Sequence, residues 1–258
     1  MDGARINMKR FSIISAYALF ISGIFLFFSF STKAEPFTPS QKKAIERIIQ
    51  NYLLDKPELI VQSMEKLRER EQAEQINKTK GLLRTYSDRI YQHPMSPYTG
   101  DKNGDVTLVE FFDYQCGYCK QVTESIIILM KNDPGLRVVL KELPILGKTS
   151  LIAATAAMAS RKQGKYFDFH VALMKTRGSL NPQSIMKIAK TVGINTAELK
   201  KDMSDPAIRT YIEDTTELAQ KLGIKGTPGF IIGDQIVPGA VSFKQLKKFI
   251  QTERNRKQ

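Results

Sequence analysis

The stretch "VEFFDYQCGYCK", residues 109–120, holds both cysteines of a 258-residue chain, Cys116 and Cys119, with only Gly117 and Tyr118 between them. On its N-terminal side, Val106 to Phe112 is β-branched and aromatic and reads as a strand. On its C-terminal side, "KQVTESIIILMKN" carries apolar residues at helical spacing until Asp133-Pro134-Gly135 breaks it. "LRVVLKELP" from Leu136 reads as a second strand. A strand, a crossover helix and another strand predict a right-handed parallel β-α-β unit, with the cysteine pair between the first strand and the helix.

That position decides what the pair can do. A thiol at a helix N-terminus faces unpaired backbone N–H groups and the positive end of the helix dipole, and both favour the thiolate. Cys116 is therefore expected to be the exposed, acidic nucleophile. Cys119, one turn further on, is close enough to resolve a mixed disulfide formed at Cys116, and burial would keep it protonated until then. Two other readings compete. A structural staple closing so short a loop stabilises little. A zinc site needs two further ligands, yet the only histidines are His93 and His170, the latter in the apolar context "YFDFHVAL". No metal is expected, and His170 reads as a partly buried helix residue.

Outward from this core the chain changes character. "MKR" at Met8, the apolar run Phe11 to Phe30, and Thr32 and Ala34 before Glu35 read as a signal peptide over residues 1–34. The run is long enough that an uncleaved membrane anchor is the alternative. Either way the remainder is expected outside the cytoplasm, in the periplasm or cell envelope of a bacterium, where a disulfide is permitted.

Residues 35–92 read as a helical arm. Ile45, Ile49, Leu53, Ile60, Met64 and Leu67 follow helical spacing on either side of Pro57 and are expected to bury against a partner copy. The expected assembly is a homo-oligomer, with a homodimer as the first choice. Residues 93–105, rich in turn formers, read as a linker. The net charge is +13 and stays near +10 without the first 34 residues, which suits an anionic surface or acidic partner. The basic residues alternate with acids and no nucleic-acid motif accompanies them, so no nucleic-acid partner is expected.

Within 106–258, residues of about 148–222 are nearly all helix formers and read as a helical insertion. Strand signals return at "GFIIGDQIV", with Gly233-Asp234 as a hairpin turn, and "SFKQLKKFIQ" reads as a closing amphipathic helix. Just before the strand lies "GTPGF". Thr227-Pro228 reads either as an ordinary strand-start turn or as a cis bond beside the cysteines, leaving Thr227 backbone groups free to pair with an extended substrate. The order β-α-β, helical insertion, β-β-α predicts an α/β thioredoxin fold with a helical insertion domain, preceded by the helical arm.

"VEFFDYQCGYC", "KELPILG" and "GTPGF", in that order around a helical insert, resemble the DsbA-like thiol:disulfide oxidoreductases of the bacterial cell envelope. The arm resembles that of a self-associating branch of that family. The resemblance implies Cys116 as nucleophile, Cys119 as resolving thiol, Pro228 as the cis-proline with Thr227 before it, and Gly117 and Tyr118 as the variable dipeptide that meets substrate. It also implies Glu110 as a buried acid that relays the proton of Cys119; the plainer reading of Glu110 is a strand residue paired with Lys141. Gly-Tyr replaces the Pro-His of the strongly oxidising prototype and Thr replaces its Val, which shifts the expectation toward an isomerase or mixed type. No cofactor is implied beyond the Cys116–Cys119 disulfide. The implied partners are exported cysteine-containing proteins and a membrane redox partner of the DsbB or DsbD kind. The reading from another class is an envelope chaperone or surface-adhesion protein whose redox pair is incidental.

Overall fold

The structure, a computed structural model, describes residues 37–257. The targeting segment read over residues 1–34 lies outside them. The chain divides between Lys66 and Leu67 into two compact units.

In the first unit, helix α1 (Pro39–Asp55) opens with a capping box. The Thr38 hydroxyl accepts the Gln41 N–H, and the Gln41 side chain accepts the Thr38 N–H in return. Pro39 occupies the first turn, where its missing N–H costs nothing. Lys56-Pro57 separates α1 from helix α2 (Glu58–Thr85). No residue of α1 is buried, and Ile48, Ile49, Tyr52, Ile60, Val61 and Met64 are each about half exposed or more.

The second unit is built on a five-stranded sheet of order β1-β3-β2-β4-β5. Its strands are β1 (Tyr98–Gly100), β2 (Val106–Phe112), β3 (Leu136–Glu142), β4 (Gly229–Ile232) and β5 (Gln235–Pro238). β2 and β3 are parallel, joined by helix α3 (Gly117–Asn132), and the other neighbours are antiparallel. The helical insertion comprises α4 (Lys148–Ala159), α5 (Tyr166–Lys175), α6 (Pro182–Thr191), α7 (Thr196–Asp202) and α8 (Pro206–Lys221), and α9 (Phe243–Lys257) closes the chain. The β-α-β unit, the insertion, the Gly233-Asp234 turn and the closing helix all stand where the sequence pattern puts them.

Side chains on a strand alternate between faces, and the central strands are covered on both. Val106, Leu108 and Phe112 of β2 and Val138 and Leu140 of β3 pack against α3, α9 and the insertion. Val109, Phe111 and Val139 face the other way, against Leu83 of α2, Ile90 and the C-terminal turn of α8. That second cover corrects two boundaries. Residues 93–105 do not form a linker: they contain β1, paired in register with Arg137 to Val139 of β3. Nor does an arm end at residue 92, because Leu83 and Ile90 belong to the core of the second unit. Polar composition hid both, since an edge strand of three residues needs no apolar alternation and one buried leucine is enough to seat a helix end.

Gly100 has φ +79°, and a Cβ there would lie 2.2 Å from the Leu136 carbonyl oxygen. Gly100→Ala is expected to destabilise the second unit by about 1–3 kcal/mol through backbone strain. A lowered thermal midpoint with unchanged thiol reactivity is the expected result.

Candidate active site

β2 runs out at Phe112 and α3 begins at Gly117, so Cys116 stands at the N-cap of the helix with extended backbone. Its Sγ accepts the Cys119 N–H at 3.3 Å, one of the N–H groups that a helix start leaves without an internal partner. From the opposite side the Cys116 thiol donates to the Thr227 carbonyl oxygen, also at 3.3 Å. The Thr227-Pro228 peptide bond is cis. Thr227 and Pro228 are 111 residues or more from Cys116 in sequence and meet it because β4 pairs antiparallel with β2, starting at Phe111 opposite Gly229.

Cys116 is 6% exposed, against 63% for Tyr118. The sequence expectation of an exposed nucleophile is corrected: the cap position and the Thr227 carbonyl cover the sulfur, and Tyr118 forms the outer surface. Cys119 has no exposed surface. Burial pushes its thiol strongly up, the charge of Glu110 adds to this, and a backbone hydrogen bond from Asp113 opposes both.

Glu110 is 1% exposed and its Oε1 has no hydrogen-bond partner. Burial pushes its carboxyl up to about 8. The pairing with Lys141 is not formed. Glu110 is aligned with Leu140 in the register of β2 and β3, so Lys141 projects from the other face. There the Lys141 ammonium donates to the Arg89 carbonyl at 2.5 Å and to Ser96 Oγ at 2.6 Å, and burial followed by the charges of Arg89 and Arg137 pushes it down to about 7. A carboxyl held up to about 8 has both forms present around neutral pH, and the ionised form can take a proton that the neutral form returns.

Other groups at the site escaped the sequence reading. Asp113, buried, accepts the Gln115 N–H on Oδ1 at 2.7 Å and the Leu146 N–H on Oδ2 at 2.9 Å. Gln115 Oε1 accepts the Leu180 N–H at 2.9 Å, and the Lys120 ammonium donates to the carbonyls of Thr176 and Gly178. Behind the cysteines Glu142 Oε1 accepts from Tyr114 at 3.0 Å and from Tyr166 at 2.7 Å, and the Tyr114 oxygen lies 3.1 Å from His170 Nδ1. His170 is wholly buried rather than partly so, and burial pushes it down to about 3, which keeps it neutral. The only sequence signal for these groups is the cluster of polar residues Asp113, Tyr114 and Gln115 between a strand and a helix.

The profile of the DSBA-like thioredoxin domain matches residues 107–251, which run from β2 to α9 and include Glu110, Cys116, Cys119, Thr227 and Pro228. The chain belongs to the DsbA-like thioredoxin family. The profile of the copper resistance protein ScsC N-terminal domain matches residues 41–74 of this DsbA-like protein. A thioredoxin-like oxidoreductase from Silicibacter pomeroyi DSS-3 is 43% identical, covers 65% of this chain and 97% of its own, and superposes with a TM-score of 0.64. The thiol-disulfide exchange protein alpha-DsbA2 from Wolbachia pipientis is 35% identical over 69% of this chain and 97% of its own, with a TM-score of 0.65. Proteus mirabilis ScsC in a transitional conformation is 29% identical, covers 85% of this chain and all of its own, and has a TM-score of 0.64. Among curated relatives, the chain spans only about a quarter of the sodium/proton antiporter NhaA 1 of Salinispora arenicola, with 25% identity over 149 residues.

The buried carboxyl of this DsbA-like site makes stability depend on pH. Glu110 holds its proton in the folded state up to about 8 and, once unfolded, loses it near the ordinary value of 4.5. Its contribution is therefore complete below pH 4.5, declines as pH rises, and is lost above about 8. Denaturant midpoints measured from pH 4 to 9 are expected to fall over this window, by at most about 1.4 kcal/mol per unit from this group. Glu110→Gln is expected to flatten the fall, leaving the part that belongs to Glu142, whose carboxyl burial also raises.

Proposed function

We propose that this protein is a thiol:disulfide oxidoreductase of the bacterial periplasm or cell envelope that forms or reshuffles disulfides in exported proteins through the Cys116–Cys119 pair. The observation that carries the reading is the position of Cys116 Sγ, 3.3 Å from both the Cys119 N–H nitrogen and the Thr227 carbonyl oxygen. The first contact turns an N–H of the helix start toward the sulfur. The second places a backbone acceptor beside the sulfur, where an extended client chain can pair with it.

Acting from the dithiol, the Cys116 thiolate attacks a client disulfide, forming a mixed disulfide and releasing one client thiolate. Cys119 then loses its proton to the ionised form of Glu110 and attacks Cys116 Sγ. The Cys116–Cys119 bond forms, the bond to the client breaks, and the second client sulfur leaves as a thiolate. Run in reverse, the same steps put a disulfide into a client. Thr227, Gly117 and Tyr118 meet the client in this reading, and a membrane redox partner of the DsbB or DsbD kind restores the starting state.

Gly-Tyr between the cysteines contains no cationic or histidine side chain to favour the thiolate further, which supports the isomerase or mixed direction. The exposed apolar residues of α1 and the start of α2 support self-association, which would set two or more redox sites around one client.

Cys116→Ser is expected to abolish rescue of a disulfide-requiring exported protein in cells lacking their own oxidoreductase; full rescue would leave the chaperone or adhesion reading in its place. Removing residues 35–66 leaves the part of α2 that packs on the sheet. That variant is expected to elute as a monomer on a sizing column and to lose isomerase activity while keeping thiol exchange.

A further inference from the structure

Four segments of the second unit meet around Cys116, and hydrogen bonds fix each of them there. The redox loop runs into α3, where the Lys120 N–H donates to the Cys116 carbonyl at 3.1 Å. The connection between α5 and α6 lies against it: Gln115 Oε1 accepts the Leu180 N–H at 2.9 Å, and the Lys120 ammonium donates to the Thr176 and Gly178 carbonyls at 2.9 and 3.0 Å. The connection between β3 and α4 is held by Asp113, whose Oδ2 accepts the Leu146 N–H at 2.9 Å. The loop ahead of β4 brings the Thr227 carbonyl to 3.3 Å from Cys116 Sγ.

Each segment carries a basic residue. Lys120 is half-buried, and three others are exposed: Lys148, two residues past Leu146; Arg177, between the two carbonyls that Lys120 holds; and Lys225, two residues before Thr227. None of these three forms an ion pair among the described residues. No exposed acid of the same segments offsets them. Residues 143–167, 169–197 and 222–233 contain no Asp or Glu, and on the redox loop and α3 the first after Asp113 is Glu124. Asp113 and Glu142 are buried and accept from donors inside the fold. Lys225 also lines a cleft with Thr227, Pro228 and Pro238, where it is the charged residue of the described lining. The +13 excess of the whole chain thus has a local counterpart around the sulfur.

We propose, resting on the redox reading of the cysteine pair, that Lys148, Arg177 and Lys225 form a cationic rim that selects client cysteines flanked by Asp or Glu in an extended chain. Cys116 is 6% exposed, so a client brings its own sulfur down to it past the rim. Attraction between opposite charges raises the rate of that encounter and weakens as salt is added. An anionic lipid surface offers the same charge. It lacks the backbone N–H that pairs with the Thr227 carbonyl, and a flat surface does not enter the cleft that Lys225 lines, so an acidic polypeptide fits the site and a bilayer does not.

The test uses the reduced full-length protein and peptides of equal length whose single cysteine, flanked by Glu, Gln or Lys, is blocked as the 2-pyridyl disulfide. The Cys116 thiolate attacks the peptide sulfur, forming a mixed disulfide and releasing pyridine-2-thione, which is followed by stopped flow. Cys119 then attacks Cys116 Sγ and frees the peptide thiolate. Each rate is divided by that of the same peptide with 2-mercaptoethanol, which removes the intrinsic reactivity of the peptide. The Glu peptide is expected to react on the order of tenfold faster than the Lys peptide at about 0.02 M salt, and within about twofold of it at about 0.5 M. Combining Lys148→Gln, Arg177→Gln and Lys225→Gln is expected to bring the two peptides within about twofold at low salt, with the Gln peptide nearly unchanged. Equal rates for the wild-type protein, or a preference that survives in the triple variant, overturns the assignment. So does flotation with phosphatidylglycerol vesicles that the triple variant loses while the wild-type peptide rates are equal, which gives the rim to a lipid surface. A wild-type protein that keeps the peptide as a mixed disulfide and forms no Cys116–Cys119 bond instead overturns the redox reading itself.

Discussion

Cys119 has no contact with water, and its burial drives the thiol strongly toward the protonated form. Exchange nevertheless requires it to become an anion. The surroundings of the pair answer this conflict. A backbone hydrogen bond from Asp113 works against the burial of the thiol, and Glu110, buried as well, has its carboxyl held up to about 8. Neither group is open to solvent. Both are placed by the sheet, since Glu110 and Asp113 are a strand residue and the residue just past the strand end, and α3 starts four residues later. The chemistry depends on β2 ending where it does.

The same strand end governs the other half of the site. Pairing of β4 with β2 brings the Thr227 carbonyl to Cys116 and leaves its oxygen turned toward the sulfur. Cys116 is thus enclosed between a helix start and a carbonyl, while Gly117 and Tyr118 between the cysteines are exposed. In the other direction the loop is tied to the helical insertion through Gln115, Lys120 and Tyr114, so the insertion is a support for the redox loop as well as a lid over the sheet.

Lys141 and Glu110 show how a buried charge pattern is misjudged without a register. They lie in adjacent strands, one acid and one base, and read as a pair. The register aligns Glu110 with Leu140, which sends the two side chains to opposite faces. Each then meets a different solution. Lys141 remains a donor to the Arg89 carbonyl and to Ser96, holding the segment between α2 and β1 to the sheet. Glu110, with one oxygen unpartnered, gives up its charge instead.

Local patterns determined much of this protein. The strand before the cysteines, the helix after them, the breaker at Asp133-Pro134-Gly135 and the Gly233-Asp234 turn are each written within about ten residues, and the thioredoxin order follows from them. Spacing and the strand-to-helix pattern together singled out Cys116 and Cys119 and put them at a helix start, where Cys116 stands as the N-cap. Tertiary structure decided what depends on distant chain segments. β1 is a strand only because Arg137 to Val139 offer it an edge. The Thr227 carbonyl reaches Cys116 only through the pairing of β4 with β2, and Asp113 becomes part of the site only because Leu146 supplies a donor 33 residues away. The physical reason is common to all three: a hydrogen bond across the fold leaves no periodicity in the sequence, and burial, which sets the acidity of Glu110 and Cys119, is a property of neighbours rather than of the residue.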